Sequence, residues 1–204
     1  MLHKSIFELR EVFKTYVRKE APHIDAFCGA ALWDNHGEED IGIASLPMQA
    51  ELPAMKKLAM ECTSSLVEAV LDASRHVHWR QSYTIEDEGI DQNHLDHYGW
   101  FNLIAPSGPF VSKEMRLSIC YWGQGLHYPR HWHEPEEIYL TLAGKATYHS
   151  EGRASVEGGP GASVCNYSNQ PHGADFSKSP AIVAAFWRGN NLEKRSVIEN
   201  VKMA

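Results

Sequence analysis

The sequence lacks the features of disulfide-stabilised, membrane-spanning and secreted proteins. It has only four cysteines, scattered and without a Cys-x-x-Cys pair, so it predicts neither a zinc knuckle nor a disulfide framework. No apolar run approaches the ~20 residues that a membrane span requires, and we expect no association with a membrane. The first ten residues lack the apolar stretch of a signal peptide, and we therefore expect a cytoplasmic protein.

An excess of positive charge is also missing. Lysine and arginine number 19 against 26 aspartates and glutamates, which gives a formal net charge of -7. No basic cluster overrides this charge, so nucleic acid is not expected as a partner. With 204 residues, 43% of them hydrophobic and 22% charged, the chain is typical of one globular domain with an appendage.

The two halves of the sequence follow different periodicities. Apolar residues recur at three- and four-residue steps in Lys4–Glu20 and Pro53–Ser74, which predicts two amphipathic helices, and Pro22–Asp34 adds a short helix between them. The buried stripe of the second long helix is predicted to comprise Leu58, Cys62, Leu66, Ala69 and Val70. We therefore expect residues 1–105 to form a helical region that packs on the second half.

After residue 106 the pattern changes to short strands separated by glycine and proline turns. The predicted strands are Met115–Tyr121, Glu137–Leu142, Lys145–His149, Ala162–Tyr167 and Ala181–Trp187. Short strands at such regular spacing predict an antiparallel sandwich or small barrel over residues 106–204.

Candidate metal ligands are concentrated between Gly125 and Gly144. Four residues there share a period-2 register that a β-strand would aim at one face, namely His131, His133, Glu137 and Tyr139. His172 follows about 35 residues later, after a Gly-Gly-Pro-Gly turn. Three imidazoles and a carboxylate suit one divalent metal ion, and zinc, iron, manganese and nickel all fit this set.

The spacing of these residues resembles the first motif of the cupin superfamily, Gly-x5-His-x-His-x3-Glu-x6-Gly. The turn at Pro160-Gly161 that leads to His172 resembles the second cupin motif, although Ala162 replaces the acidic residue common there. The resemblance implies a mainly β protein with some α structure, in which a single jelly-roll barrel holds a metal in its mouth and follows a helical N-terminal region.

Further features resemble the cupin-type dimethylsulfoniopropionate (DMSP) lyases, nearest to the DddQ kind. They are the Glu-x-Tyr sequence, the helical first half, Tyr128 ahead of the histidine pair and the Phe-Trp-Arg-Gly sequence at 186–189. This resemblance implies a metal held by His131, His133, Glu137 and His172, with Tyr139 as the general base. The implied reaction is β-elimination from a small carboxylate that carries a sulfonium group, which releases dimethyl sulfide and acrylate. Tyr128 and Trp187 are candidates to hold the sulfonium by cation–π attraction.

Alternatives remain open from the residues alone. The same four ligands would serve another metal-dependent cupin enzyme, such as a dioxygenase or an isomerase, or a non-catalytic cupin that binds a small ligand. The three aromatic candidates would also suit simple packing in a barrel interior. The helical half would either cover the barrel mouth or form a homodimer contact. His127 would either support a ligand or be exposed, and His94 and His97 lie in a stretch without an assignable pattern.

Overall fold

The structure is a computed structural model that describes residues 1–33 and 36–199. Its α-helices are α1 (Lys4–Glu20), α2 (Pro22–Cys28), α3 (Ser64–Ala73) and α4 (Gln92–Asp96). Short 3₁₀ helices occur at Ala30–Leu32, Pro47–Ala50, Leu52–Leu58 and Glu61–Thr63. The strands are β1 (Gly37–Glu38), β2 (Tyr98–Ala105), β3 (Phe110–Val111), β4 (Met115–Trp122), β5 (His127–Trp132), β6 (Glu136–Gly144), β7 (Ala146–Ser150), β8 (Val156–Gly158), β9 (Ser163–Asn166), β10 (His172–Asp175), β11 (Ala181–Arg188) and β12 (Val197–Ile198).

The strands form two sheets. The larger sheet has the order β1-β3-β2-β4-β11-β6-β9 and the smaller one the order β12-β5-β10-β7-β8. Pairing is antiparallel except between β2 and β3. Neighbours in each sheet are mostly distant in sequence, and the two sheets share one core, which is the jelly-roll arrangement. The predicted fold class, a cupin jelly roll preceded by helices, is confirmed.

Both faces of the larger sheet are buried. On β6, Ile138 and Leu140 face the core that the helices cover, whereas Tyr139 between them faces the core between the two sheets. Because successive side chains on a strand point to opposite faces, one strand serves both cores. The half-buried strand predicted at Met115–Tyr121 is therefore buried on both sides, since α1, α3 and the 3₁₀ helices cover its outer face.

Gly144 ends β6 in a position that only glycine fits. Its φ angle is 74°, and a Cβ atom placed there would lie 1.8 Å from the carbonyl oxygen of Pro180. Positive φ carries no steric cost for glycine, and here the neighbouring strand also leaves no room for a side chain. The last glycine of the predicted motif is therefore explained by backbone geometry.

The first predicted helix is confirmed at its predicted bounds, Lys4–Glu20, and its apolar stripe is buried. The second differs from the prediction, because Pro53–Ser74 is not one helix. Ala59 takes an extended conformation and forms an antiparallel bridge with Ala143 of β6, so the helical hydrogen bonding stops and resumes only at Glu61. Leu66 and Val70 of the predicted stripe are buried and Ala69 is partly buried, but Leu58 and Cys62 are exposed.

Seven of the strands were absent from the sequence prediction, and the three longest of these are β2, β5 and β10. The first of them begins at Tyr98 and belongs to the larger sheet, although it precedes the boundary expected at residue 106. The division of the chain into residues 1–105 and 106–204 stays a prediction. Within the described residues, no helix is long and apolar enough to cross a membrane.

The interruption at Ala59 makes a stability prediction. Leu66→Ala should lower the free energy of unfolding by about 2–5 kcal/mol, because Leu66 is fully buried, whereas Leu58→Ala should change it by less than about 1 kcal/mol. Urea denaturation of the two variants measures the difference. Similar losses for both leucines would mean that Leu58 lies on a buried helical stripe after all.

Candidate metal centre and active site

The candidate ligands come from two sheets. His131 lies on β5 and His172 on β10, where the two residues are direct cross-strand partners in the smaller sheet. Glu137 and Tyr139 lie on β6 of the larger sheet, and His133 lies in the turn between β5 and β6. The period-2 spacing therefore does not reflect a single strand, because the chain crosses between the sheets at His133. The site is formed where the sheets meet.

Three imidazoles converge at this junction. One ring nitrogen from each of His131, His133 and His172 lies within 4.8 Å of the others, and all three side chains are buried. Each Nδ1 donates a hydrogen bond to a backbone carbonyl, at 2.8 Å to Pro129, 2.9 Å to Pro135 and 2.7 Å to Gln170 respectively. These bonds select the tautomer in which Nε2 carries a free lone pair, which is how proteins orient histidines that bind metals.

Glu137 completes the cluster and is 1% exposed. Its Oε2 lies 3.5 Å from Nε2 of His133 and 3.2 Å from Nε2 of His172. Burial alone would raise the pKa of this carboxyl group, but the contacts with the two histidines hold it well below its ordinary value. Burial also lowers the pKa of His131 well below its ordinary value, and the neighbouring His172 adds to this effect. The cluster therefore combines an anionic carboxylate with a neutral imidazole, as metal binding requires.

These residues fit a divalent ion. The Nε2 atoms of His133 and His172 are buried and have no hydrogen-bond partner among the residues that the structure describes, although each lies close to Glu137. Ligands about 2.1 Å from a shared ion lie roughly 3.0–3.4 Å from one another. The separation of 3.2 Å between His172 and Glu137 falls in this range, and that of 3.5 Å between His133 and Glu137 lies just above it. Nitrogen and oxygen donors of this kind suit zinc, iron, manganese or nickel, and the donor set does not choose among them.

A cavity of about 300 Å³ adjoins the cluster. Glu137, Tyr139, Tyr128 and Trp187 all line it, so it brings together the predicted catalytic and substrate-binding residues. The ring of Tyr139 lies 6.2 Å from that of His172, and the ring of Tyr128 lies 4.3 Å from that of His131. Burial and the charge of Glu137 raise the pKa of Tyr139 well above its ordinary value, so its phenol is neutral when no cation opposes these effects.

Comparison with known proteins identifies the family. The model of the dimethylsulfoniopropionate lyase family matches residues 25–183. The chain belongs to the DMSP lyase family. It is 30% identical over 168 residues to dimethylsulfoniopropionate lyase DddQ of Ruegeria pomeroyi, a match that covers 82% of each protein.

Solved structures support the same assignment. A chain from the crystal structures of the DMSP lyases RdDddP and RnDddQII superimposes with a TM-score of 0.89 at 28% identity, covering 97% of this chain and 98% of that one. DddQ of Ruegeria pomeroyi DSS-3 superimposes with a TM-score of 0.88 at 26% identity, covering 98% and 99%. DMSP lyases are carbon–sulfur lyases, so the predicted enzyme class is confirmed at the level of the family.

In this DMSP lyase family member, Trp187 has contacts that the sequence prediction did not include. Its indole nitrogen donates a 2.5 Å hydrogen bond to Oε1 of Glu137, and its ring lies 4.1 Å from that of His133 and 4.4 Å from the guanidinium of Arg116. Trp187 therefore orients two of the metal-site residues, in addition to lining the cavity. Its predicted substrate contact stays a prediction.

Two supporting residues were missed by sequence reasoning. Asn166 donates a 2.8 Å hydrogen bond to Oε2 of Glu137, and Tyr83 lies with its hydroxyl 3.2 Å from that of Tyr128. Asn166 was detectable in principle, because an amide at the end of an otherwise apolar strand segment needs a polar partner. Tyr83 lies in an irregular segment, where no periodicity indicates its direction.

The histidines left open in the sequence lie outside the cluster. His127 is exposed, and its Nδ1 lies 3.9 Å from Asp175. It does not support the clustered histidines, because the Nδ1 atom of each of them donates to a backbone carbonyl. His94 is buried on α4, where it packs against Tyr98, and His97 pairs with Glu51. All three therefore have local structural partners.

The histidine cluster predicts one divalent ion per chain. His172→Ala should weaken metal binding by at least 10-fold, because it removes one of the converging ligands, whereas His149→Ala on the exposed surface of β7 should leave binding unchanged. Elemental analysis after dialysis against a chelator and metal add-back measures both. Full occupancy in the His172 variant would contradict the site.

Proposed function

We propose that this protein cleaves dimethylsulfoniopropionate by β-elimination to dimethyl sulfide and acrylate, with the metal held by His131, His133, Glu137 and His172. The observation that carries the proposal is a cavity lined by both Tyr139 and Glu137, the carboxylate beside the three converging histidines, in a member of the DMSP lyase family. Relatives described as DMSP lyases match nearly the whole chain, which supports the same substrate here.

Tyr139 is the proposed base. Its hydroxyl has no hydrogen-bond partner among the described residues, and the side chain lines the cavity two residues beyond Glu137 on the inner face of β6. A divalent cation held by the neighbouring ligands would supply positive charge that polarises the substrate carboxylate and lowers the pKa of a nearby phenol. The phenolate of Tyr139 then removes a proton from the carbon next to the carboxylate. The new C=C bond forms as the C–S bond breaks, and the sulfur leaves with the electron pair as neutral dimethyl sulfide.

The sulfonium group is proposed to lie against aromatic rings. Tyr128 and Trp187 are the candidates, and cation–π attraction contributes roughly 0.5–2 kcal/mol depending on desolvation. Tyr128 is the better placed of the two, because the guanidinium of Arg116 already lies over the ring of Trp187. The ring of Tyr128 stacks near Tyr98 and Trp122, at 6.1 and 5.2 Å. This aromatic wall has no positive charge of its own to repel the sulfonium.

The activity is tested by mixing purified, metal-loaded protein with DMSP and measuring dimethyl sulfide in the headspace. We expect release of dimethyl sulfide and acrylate in equal amounts, and equal rates with and without oxygen, because elimination consumes none. Loss of turnover under anoxia would favour a dioxygenase. Saturable binding without release of gas would favour a non-catalytic cupin.

Tyr139→Phe should lower kcat by on the order of 10²- to 10⁴-fold, because it removes the proton acceptor, while the metal content stays at the wild-type level. Tyr148→Phe is the matched control. Tyr148 stacks on Tyr139 at 5.7 Å, but its hydroxyl bonds to Thr141 and it does not line the cavity. Steady-state kinetics of both variants provide the measurement. Full turnover by the Tyr139 variant would disprove its role as base even if the lyase activity were confirmed.

A further inference from the structure

An arginine on the wall of the cavity has no role in the reaction described so far. Arg116 lies on β4, and its guanidinium is placed between two indole rings, 4.6 Å from the ring of Trp100 and 4.4 Å from that of Trp187. In the larger sheet Arg116 is the cross-strand partner of Trp187, which is in turn the partner of Glu137. Arg116 therefore stands in the same row of side chains as the metal site.

The hydrogen bonds of Arg116 leave part of its guanidinium unused. Nε donates to the hydroxyl of Ser118 at 2.7 Å, and Nη1 donates to the carbonyl of Leu192 at 2.9 Å. Nη2 donates to no residue within 1–33 and 36–199, and no carboxylate there forms a salt bridge with it. Burial lowers the pKa of this guanidinium, although an arginine side chain remains charged at any physiological pH. The charge of Glu137 reaches this guanidinium and favours its charged form, but the two side chains form no salt bridge. A largely buried guanidinium with an unused N–H group and no salt bridge within the described residues is uncommon, since buried charges are normally paired.

Asn102 supplies a second unused donor at the same end of the cavity. The Ser118 hydroxyl donates to Oδ1 of Asn102 at 2.8 Å, which uses the amide oxygen. Nδ2 of Asn102 then has no partner among the described residues, and both Asn102 and Arg116 line the cavity. This wall offers N–H donors and a positive charge. The ligand group that complements it is a planar anion with several acceptor positions, such as a carboxylate.

We propose that Arg116 binds the carboxylate of the substrate through Nη2, with Asn102 as a second donor. The identity of the substrate rests on the proposed function, but the carboxylate contact does not. One carboxylate oxygen would face Arg116, which leaves the other for the metal centre. Repulsion between the guanidinium and the sulfonium would direct the cationic end of the substrate away from Arg116, toward the ring of Tyr128. Arg116 thus determines which way round the molecule binds.

The test uses propionate, a carboxylate without a sulfonium group, as the probe. Its binding is followed by tryptophan fluorescence, since Trp100 and Trp187 flank the guanidinium, and is measured on metal-free and metal-loaded protein. Arg116→Gln should weaken propionate binding by about 10- to 100-fold, because a hydrogen bond to a charged group is lost, and should raise KM for DMSP more than it lowers kcat. Arg116→Lys keeps the charge but loses the planar fork, so it should bind with intermediate affinity. Propionamide should bind weakly to all forms.

Arg10→Gln is the matched control. Arg10 also stacks on an aromatic ring, 4.5 Å from Phe110, and donates to the carbonyl of Trp33, but it does not line the cavity. Propionate affinity should be unchanged in this variant. If Arg116→Gln fails to fold, Asn102→Asp leaves the arginine in place and adds a competing carboxylate beside it, which should weaken propionate binding in the same way.

Equal propionate affinity in the wild type and the folded Arg116 variants would overturn the assignment. The two proposals fail in different ways. Absence of dimethyl sulfide with propionate binding that depends on Arg116 would refute the lyase reaction and retain the carboxylate contact. Normal lyase activity with an unchanged KM in Arg116→Gln would refute the carboxylate contact and retain the lyase reaction.

Discussion

The buried carboxylate of Glu137 is the group on which the site depends. A charge in the protein interior is tolerated only when partners compensate for its lost hydration. Glu137 receives hydrogen bonds from Asn166 and Trp187 and lies beside two imidazoles, and these partners come from β9, β11, β10 and the turn after β5. Folding must therefore bring four separate elements to one point. The same convergence produces a buried group of side chains that could hold a metal ion.

The aromatic residues around the cluster define what the cavity can accept. The inner faces of both sheets supply tyrosine and tryptophan rings near the imidazoles, and the cationic Arg116 stands at one side of them. A small zwitterion would find a positive charge, that of Arg116, beside its anionic end and aromatic rings beside its cationic end. This polarity of the cavity is the basis on which we propose that it accepts DMSP.

The sequence predicts three histidines that the structure brings together, and the spacing of the first two reflects a local constraint. His131 and Glu137 flank one tight turn, and Gly144 ends the following strand where a side chain would collide with Pro180. Helix α1 could be predicted equally well, since its amphipathic pattern is uninterrupted. Backbone pairings between residues far apart in the sequence could not be predicted in this way. The bridge between Ala59 and Ala143 breaks a helical pattern through a residue 84 positions away, and no local signal indicates it.

Burial on both faces also explains why strand β2 was missed. The sequence of β2, Tyr-Gly-Trp-Phe-Asn-Leu-Ile-Ala, has no alternation of apolar and polar residues, because helices cover one side and the second sheet covers the other. Contacts such as that of Arg116 with Trp187 depend on strand register, which a single sequence does not reveal. The fold class and the clustering of the three histidines were thus predictable, whereas the contacts between residues of the cavity wall were not.

Side chains along Glu136–Gly144 alternate between the two faces of the sheet, so residues on one strand are selected either for packing against the helices or for lining the cavity. Outward residues such as Leu140 pack against the helical layer, and inward residues such as Tyr139 line the cavity. Exchanges on the inward side can remodel chemistry without loosening the attachment of the helices. Proteins that share this strand can therefore come to act on different substrates while the fold is retained.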